Sequence, residues 1–215
     1  MNKVFVFIDG FNLYFGLKAI KRKDLYWLDL VKLGQNLLKH DQTLVGVKYF
    51  TSRISYPPDK VKRQGAFIEA MEELAKIEIF YGNYLSTKKT CRNCGSYYYE
   101  FSEKKTDVNL AIELLVDAYL DKYDTAIVIS GDSDLSGAIS KVLTLFPNKR
   151  VITAFPPLRV SKELRTVSTA TINIRKQTLQ KSLLPLVVIK SDGFLLECPE
   201  YWRKKTWTDS NDDSD

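Results

Sequence analysis

Residues 126–129 read Ala-Ile-Val-Ile, four apolar side chains without interruption. An alternating run would leave one face wet. An unbroken run needs cover on both faces, as in a strand inside a parallel sheet sandwiched by helices. Ser130-Gly131 ends the run, Asp132 and Asp134 follow, and Leu135-Ser136-Gly137-Ala138-Ile139 opens a helical pattern. Two acids therefore sit where a parallel strand hands over to a helix, the edge at which open α/β sheets bind ligands. Carboxylates this close repel, and both stay charged at low cost only with a cation or a donor cluster between them. On this stretch alone, Asp134 capping the helix beside a solvated Asp132 stands level with a metal site.

A second apolar run, Val4 to Ile8, also ends in an acid, Asp9. Gly10 then allows a tight turn, and Asn12 follows three residues on. A third segment, Lys104-Lys105-Thr106-Asp107, opens the helical run from Val108 to Tyr119. A doubly wound fold can bring all these element ends to one edge. Asp9, Asp107, Asp132 and Asp134 would there form an oxygen-rich site suited to Mg²⁺ or Mn²⁺.

Between these landmarks the periodicity predicts helices over 13–21, 28–38, 59–76, 107–121, 135–145 and 161–167. It predicts strands over 3–8, 44–51, 77–81, 150–154 and 171–174. The helix after Asp107 carries apolar residues on nearly every face and is expected to be well buried, with Val108, Ala111, Ile112, Leu115 and Tyr119 on one side. Phe11, Tyr14 and Phe15 read as core or helix-packing residues ahead of base-stacking ones. Arg53 leaves the second strand at the same edge as the acids. It reads equally as a phosphate ligand and as an ordinary surface ion pair.

Residues 82–101 stand apart as a hairpin holding Lys88-Lys89, Cys91-Arg92-Asn93-Cys94-Gly95 and Tyr97-Tyr98-Tyr99. Cys-x-x-Cys-Gly is half of a zinc knuckle. Cys91 and Cys94 lack two further ligands with suitable spacing, so free thiols or a Zn²⁺ site shared between two chains are the readings, the latter leaving a homodimer open. The nearby bases and tyrosines suit a nucleic-acid-binding flap as well as they suit packing.

The motifs Asp9-Gly10-Phe11-Asn12, Lys105-Thr106-Asp107-Val108 and Ser130-Gly131-Asp132-Ser133-Asp134, in this order, resemble those of NYN-domain proteins, in particular the LabA-like branch within the PIN-like nuclease group. The resemblance runs from Lys3 to Ile174 and includes the Cys-x-x-Cys-Gly hairpin. It implies a Rossmann-like parallel β-sheet flanked by helices, an acid cluster binding Mg²⁺ or Mn²⁺, and endonucleolytic cleavage of RNA. Carried onto this chain, Asp9, Asp107, Asp132 and Asp134 are the acids. Asn12 is a ligand or water-positioning group and Ser130 an accessory donor; apart from the resemblance, Lys105 as an accessory cation, with Arg53 and Lys104, would neutralise charge on the phosphate. Residues 1–175 would form this domain, with 176–207 a C-terminal extension held down by Trp202 and Trp207, and 208–215 an acidic tail.

Composition supports the same picture. The net charge is +6, and the tail from Asp209 holds four Asp, so the remaining body carries +10. A basic body around an acidic pocket suits a polyanion, although net charge alone is met slightly better by solvated surface lysines. RNA is what the resemblance implies, and a single strand enters a narrow pocket more readily than a rigid duplex. Three cysteines, an odd count, argue against a disulfide framework and point to a reducing cytoplasm. No apolar run is long enough for a membrane helix. Two other classes remain: an RNA-binding regulatory module that keeps the acids without cutting, and a phosphatase. The latter wants a second Asp two residues after the first, where Phe11 stands.

Overall fold

Strand β1 (Asn2–Asp9) lies inside a six-stranded sheet whose order is β3-β2-β1-β6-β7-β8. The other strands are β2 (Gln42–Thr51), β3 (Ile77–Tyr81), β6 (Thr125–Ile129), β7 (Arg150–Phe155) and β8 (Ala170–Asn173). All five pairings are parallel. The computed structural model describes residues 1–203, less the side chains of residues 100–103. Trp207 and the acidic tail lie outside the described residues.

The unbroken apolar runs serve two cores at once. Val4, Val6 and Ile8 of β1 and Ile127 and Ile129 of β6 point into one. Phe5, Phe7, Ala126 and Val128 point into the other. Alternation along a strand sends successive side chains to opposite faces, so both faces are apolar only if both are covered. The first core is covered by α1 (Gly10–Ala19), α2 (Leu30–Gln35) and α3 (Pro58–Glu72); α4 (Thr106–Tyr119), α5 (Ser136–Leu145) and α6 (Lys162–Val167) cover the second. This is the expected Rossmann-like arrangement, with several helix ends displaced. Helix α1 begins at Gly10, because Asp9 accepts the Asn12 N–H and caps it. Helix α3 stops at Glu72 and α2 at Gln35, short of their apolar patterns.

Helix α4 corrects one expectation. Val108, Ile112 and Tyr119, expected inward, are exposed; Val108 retains 59% of its surface. The sheet-facing side is Leu110, Leu114 and Ala118, at i, i+4 and i+8, together with Asp117. A helix on one face of a sheet buries one stripe, and the other apolar stripe of α4 is left outside.

The hairpin consists of β4 (Asn83–Thr90) and β5 (Tyr97–Lys104) in a sheet of their own. It extends three residues further than the 82–101 expected. Tyr97, Tyr98 and Tyr99 are exposed, and the Lys88 ammonium sits 3.9 Å from the Tyr97 ring centroid. Beyond residue 175, α7 (Lys176–Lys181) leads to the hairpin of β9 (Val187–Ile189) and β10 (Leu195–Glu197). This segment contributes Leu179, Leu184, Val188, Leu196, Cys198 and Trp202 to the first core, and the Trp27 indole N–H donates to the Pro185 carbonyl at 2.8 Å. It is packed into the body of the domain.

Candidate metal centre

Strands β2 and β3 lie on one side of β1 and β6 to β8 on the other, so the chain reverses its winding direction between β1 and β6. Helices leave these two strands to opposite faces, opening a crevice at their C-terminal ends. Asp9 ends β1, and Asp132 follows β6 after Ser130 and Gly131. Asp107, in the first turn of α4, comes in from the second face. Each offers a carboxylate oxygen within 4.8 Å of the others.

Asp9 is 5% exposed and held at both oxygens. Oδ1 accepts the Asn12 N–H at 2.9 Å and Oδ2 accepts the Ser130 hydroxyl at 2.8 Å. Ser130 Oγ in turn accepts the Asp132 N–H at 3.0 Å, and Asn12 Oδ1 accepts the Gly131 N–H at 2.9 Å. Asn12 and Ser130 thus tie the turn after β1 to the turn after β6. Asn12 Oδ1 is engaged by Gly131, which makes Asn12 a positioning residue in this geometry. Gly131 lets the segment after β7 lie against this turn: a Cβ there would lie 2.6 Å from the Arg159 carbonyl oxygen.

Burial, then the charges of Asp107 and Asp132, push the Asp9 carboxyl up to about 6; the bonds from Asn12 and Ser130 pull in the opposite direction and only partly offset them. Asp107 is also raised, by burial first and then by Asp132 and Asp134. Asp134 lies outside the group of three. It is exposed, and its N–H donates to Asp132 Oδ1 at 3.0 Å, so it is close enough to act on Asp107 by charge. Among the described residues no Lys or Arg forms an ion pair with the three acids. Three hard oxygen donors of one sign, without a cation, fit a divalent metal of the Mg²⁺ or Mn²⁺ kind.

The remaining sequence candidates are dispersed. Arg53 donates to the Tyr81 hydroxyl at 3.1 Å and pairs with Glu72 at 3.7 Å on the surface. Lys104 and Lys105 are exposed just before α4. Lys105 has φ +77°, a left-handed conformation that a side chain disfavours, at the turn that delivers Asp107. Nothing in the sequence signals this. Its neighbour in space does carry a signal: Gly82 lets the hairpin base close against β2, since a Cβ there would meet the Lys104 carbonyl oxygen at 2.6 Å and Ser52 Oγ at 2.8 Å. Cys91 and Cys94 are free thiols at the hairpin tip. Ser96 is foremost in drawing the Cys94 thiol down to about 7. Cys198 is buried elsewhere, and among the described residues no third His, Cys, Asp or Glu joins the pair, so one chain supplies two of the four ligands of a closed Zn²⁺ site.

The family model described as the NYN domain matches residues 3–175. The chain is 26% identical over 171 residues to 6-hydroxy-3-succinoylpyridine 3-monooxygenase HspA of Pseudomonas putida, covering 64% of this chain and 54% of that protein. The chain thus spans about half the length of this curated relative. A solved structure of a protein of unknown function from Vibrio parahaemolyticus superposes with a TM-score of 0.53 at 18% identity, over 85% of this chain and 96% of that one. This likeness is one of fold.

Proposed function

The chain belongs to the NYN domain family, and from that premise we propose that it is a divalent-metal-dependent endoribonuclease hydrolysing single-stranded RNA at Asp9, Asp107 and Asp132. The observation that carries this reading is the convergence of three carboxylates from three elements, within 4.8 Å and without a cation, at the switch point of a parallel sheet.

Asp9 from the end of β1, Asp132 from the turn after β6 and Asp107 from the first turn of α4 each offer one oxygen to the same point. Together they would hold a divalent cation, which when bound supplies an acidified water and a positive charge against the phosphodiester. Asn12 and Ser130 keep the Asp9 oxygens from rotating, so the donor set is preorganised. Asp134, exposed and bonded through its N–H to Asp132, would order water on the solvent side. Lys104 and Lys105 stand beside Asp107 and would take the charge of a neighbouring phosphate. The chain's one histidine, His40, is exposed beyond α2 and has no part in this scheme. The monooxygenase named among the relatives is about twice as long as the segment matched, and its activity is left with that protein.

The test is cleavage of end-labelled single-stranded RNA, with matched DNA, in Mg²⁺, Mn²⁺ and EDTA, by wild type, Asp9→Asn and Asp132→Asn. The expected result is metal-dependent cutting of RNA that both variants lose. RNA left intact in every lane but still bound would replace the enzyme with an RNA-binding regulatory module. Release of phosphate from a small phosphomonoester in place of internal cutting would restore the phosphatase.

A further inference from the structure

A cavity of about 730 Å³ lies beside the acid trio, next to Asp9, and plays no part in the scheme above. Gly10, the residue after Asp9, belongs to its lining. The walls come from α1, α3, the short turn at residues 23–26, the base of the β4–β5 hairpin and the C-terminal segment. Its volume falls in the range of small-molecule and cofactor sites, about 300–1,000 Å³.

Two properties of the lining narrow what it takes. The first is aromatic surface left uncovered. Phe11 and Tyr84 stack at 6.2 Å and 27°, Tyr14 meets Tyr26, and Tyr26 meets Trp202 edge-on at 5.8 Å. Phe11, Tyr14, Tyr26 and Tyr84 stay only half-buried and Trp202 is buried, while at the rim Tyr201 keeps 54% of its surface and Phe15 39%. The second is charge. Lys18, Lys21, Lys23, Lys60 and Arg63 line the cavity, and no Asp or Glu does. Lys23 and Arg63 converge on the Tyr201 ring, at 3.7 and 4.6 Å from its centroid. An apolar ligand or a core filler would need none of these cations. A planar ring with an anionic group uses both properties, by stacking and by charge.

We propose that this cavity is a nucleotide-binding pocket. It receives a base splayed from single-stranded RNA between the aromatic walls, with the attached phosphate at Arg63 and Lys23, one step along the strand from the phosphodiester at the acid trio. The strand's continuity to the trio rests on the ribonuclease reading; the pocket's preference for a nucleotide does not. Tyr201 and Trp202 lie beyond the residues that the family model matches, so the pocket is completed by the C-terminal segment of this chain. A splayed base is available in a single strand and costs unstacking in a duplex, so the pocket also supplies the strand selectivity.

The test is a titration of the whole protein with AMP and UMP, followed by tryptophan fluorescence, since Trp202 lines the cavity. Ribose 5-phosphate serves as the ring-less control and benzoate as a small aromatic acid. Tyr201→Ala and Arg63→Gln alter the cavity rim, and Asp9→Asn leaves it intact. The expected result is saturable quenching by the nucleotides and at least ~10-fold weaker binding of ribose 5-phosphate. Tyr201→Ala and Arg63→Gln each weaken AMP by ~10-fold, and Asp9→Asn binds as wild type does. In cleavage, Tyr201→Ala raises KM for RNA and leaves kcat within ~3-fold, as loss of uniform binding requires. Nucleotide binding without any RNA cutting would keep the pocket and remove the nuclease. RNA cutting with no nucleotide binding, or with KM unchanged in both rim variants, would remove the pocket and keep the nuclease. Benzoate binding as tightly as AMP would assign the cavity to small aromatic acids and overturn the nucleotide assignment.

Discussion

Two clusters of charge are built into this fold, and they are treated in opposite ways. Lys48 of β2 is 1% exposed, yet its ammonium meets Glu113 at 2.6 Å and Asp117 at 2.5 Å, and Lys122 reaches Asp117 at 2.9 Å. The rings of Phe5 and Phe80 flank it at 5.3 and 5.5 Å. Every buried charge there has a partner of opposite sign. Asp9, Asp107 and Asp132 also gather from three elements, yet no cation of the described protein answers them. The contrast separates structure from function. A buried charge that serves the fold is neutralised by the fold, whereas a cluster left uncompensated costs stability and persists where a ligand supplies the missing charge.

The largest test of this contrast is Lys48→Met. Removing the ammonium leaves Asp117 buried against one exposed-side partner, and the expected loss is about 3–5 kcal/mol of unfolding free energy by denaturant titration. RNA cleavage per folded molecule should not change. A loss below ~1 kcal/mol would show that the Lys48 cluster is not structural.

The acid trio predicts a pH dependence of the other sign from ordinary acid denaturation. Asp9 rises from 3.8 in the unfolded chain to about 6 in the folded, metal-free protein. Between these values the folded state holds a proton that the unfolded state releases. Stability from this group is therefore full below pH ~4 and is lost as pH rises through ~6, by about 3 kcal/mol in total. Asp107 adds in the same direction. Thermal unfolding in EDTA from pH 4.5 to 7.5 should show it, and the slope should flatten in Asp9→Asn.

It follows that Asp9→Asn stabilises the metal-free protein at pH 7, by about 1–3 kcal/mol, while it abolishes cutting. Asn Oδ1 still accepts the Asn12 N–H, so the cap survives. A destabilised Asp9→Asn would place Asp9 in the same class as Lys48. The smallest effect belongs to Arg53→Ala. Its ion pair with Glu72 is exposed, so less than ~1 kcal/mol of stability and less than ~3-fold in RNA binding should be lost. A larger loss of RNA affinity would return Arg53 to the phosphate site.

The sheet and the trio were legible because their signals are local in sequence. An unbroken apolar run such as Ala126–Ile129 reads as a doubly covered strand, and the acids directly after it fall at that strand's end. What escaped depends on which elements meet. Helix α4 is apolar almost all round, so its pattern does not say which stripe faces the sheet, and Leu110, Leu114 and Ala118 were decided by packing. Asp117 carries no signal in the sequence, because its partner Lys48 lies 69 residues earlier. The aromatic cavity was hidden in the same way. Phe11, Tyr14 and Phe15 have the spacing of helix-packing residues, and only the fold brings them to one cavity with Arg63 and Tyr201.

The central claim is that the three carboxylates await a divalent cation. It is tested most directly by Mn²⁺ titration of the metal-free protein at pH 7, followed by electron paramagnetic resonance and by the unfolding temperature in parallel, with Asp107→Asn and Asp132→Asn beside the wild type. The account predicts saturable Mn²⁺ binding to wild type with a rise in stability of about 2.7 kcal/mol at 100 times Kd, and neither effect in the variants. No binding by wild type, or equal binding by all three proteins, would contradict it.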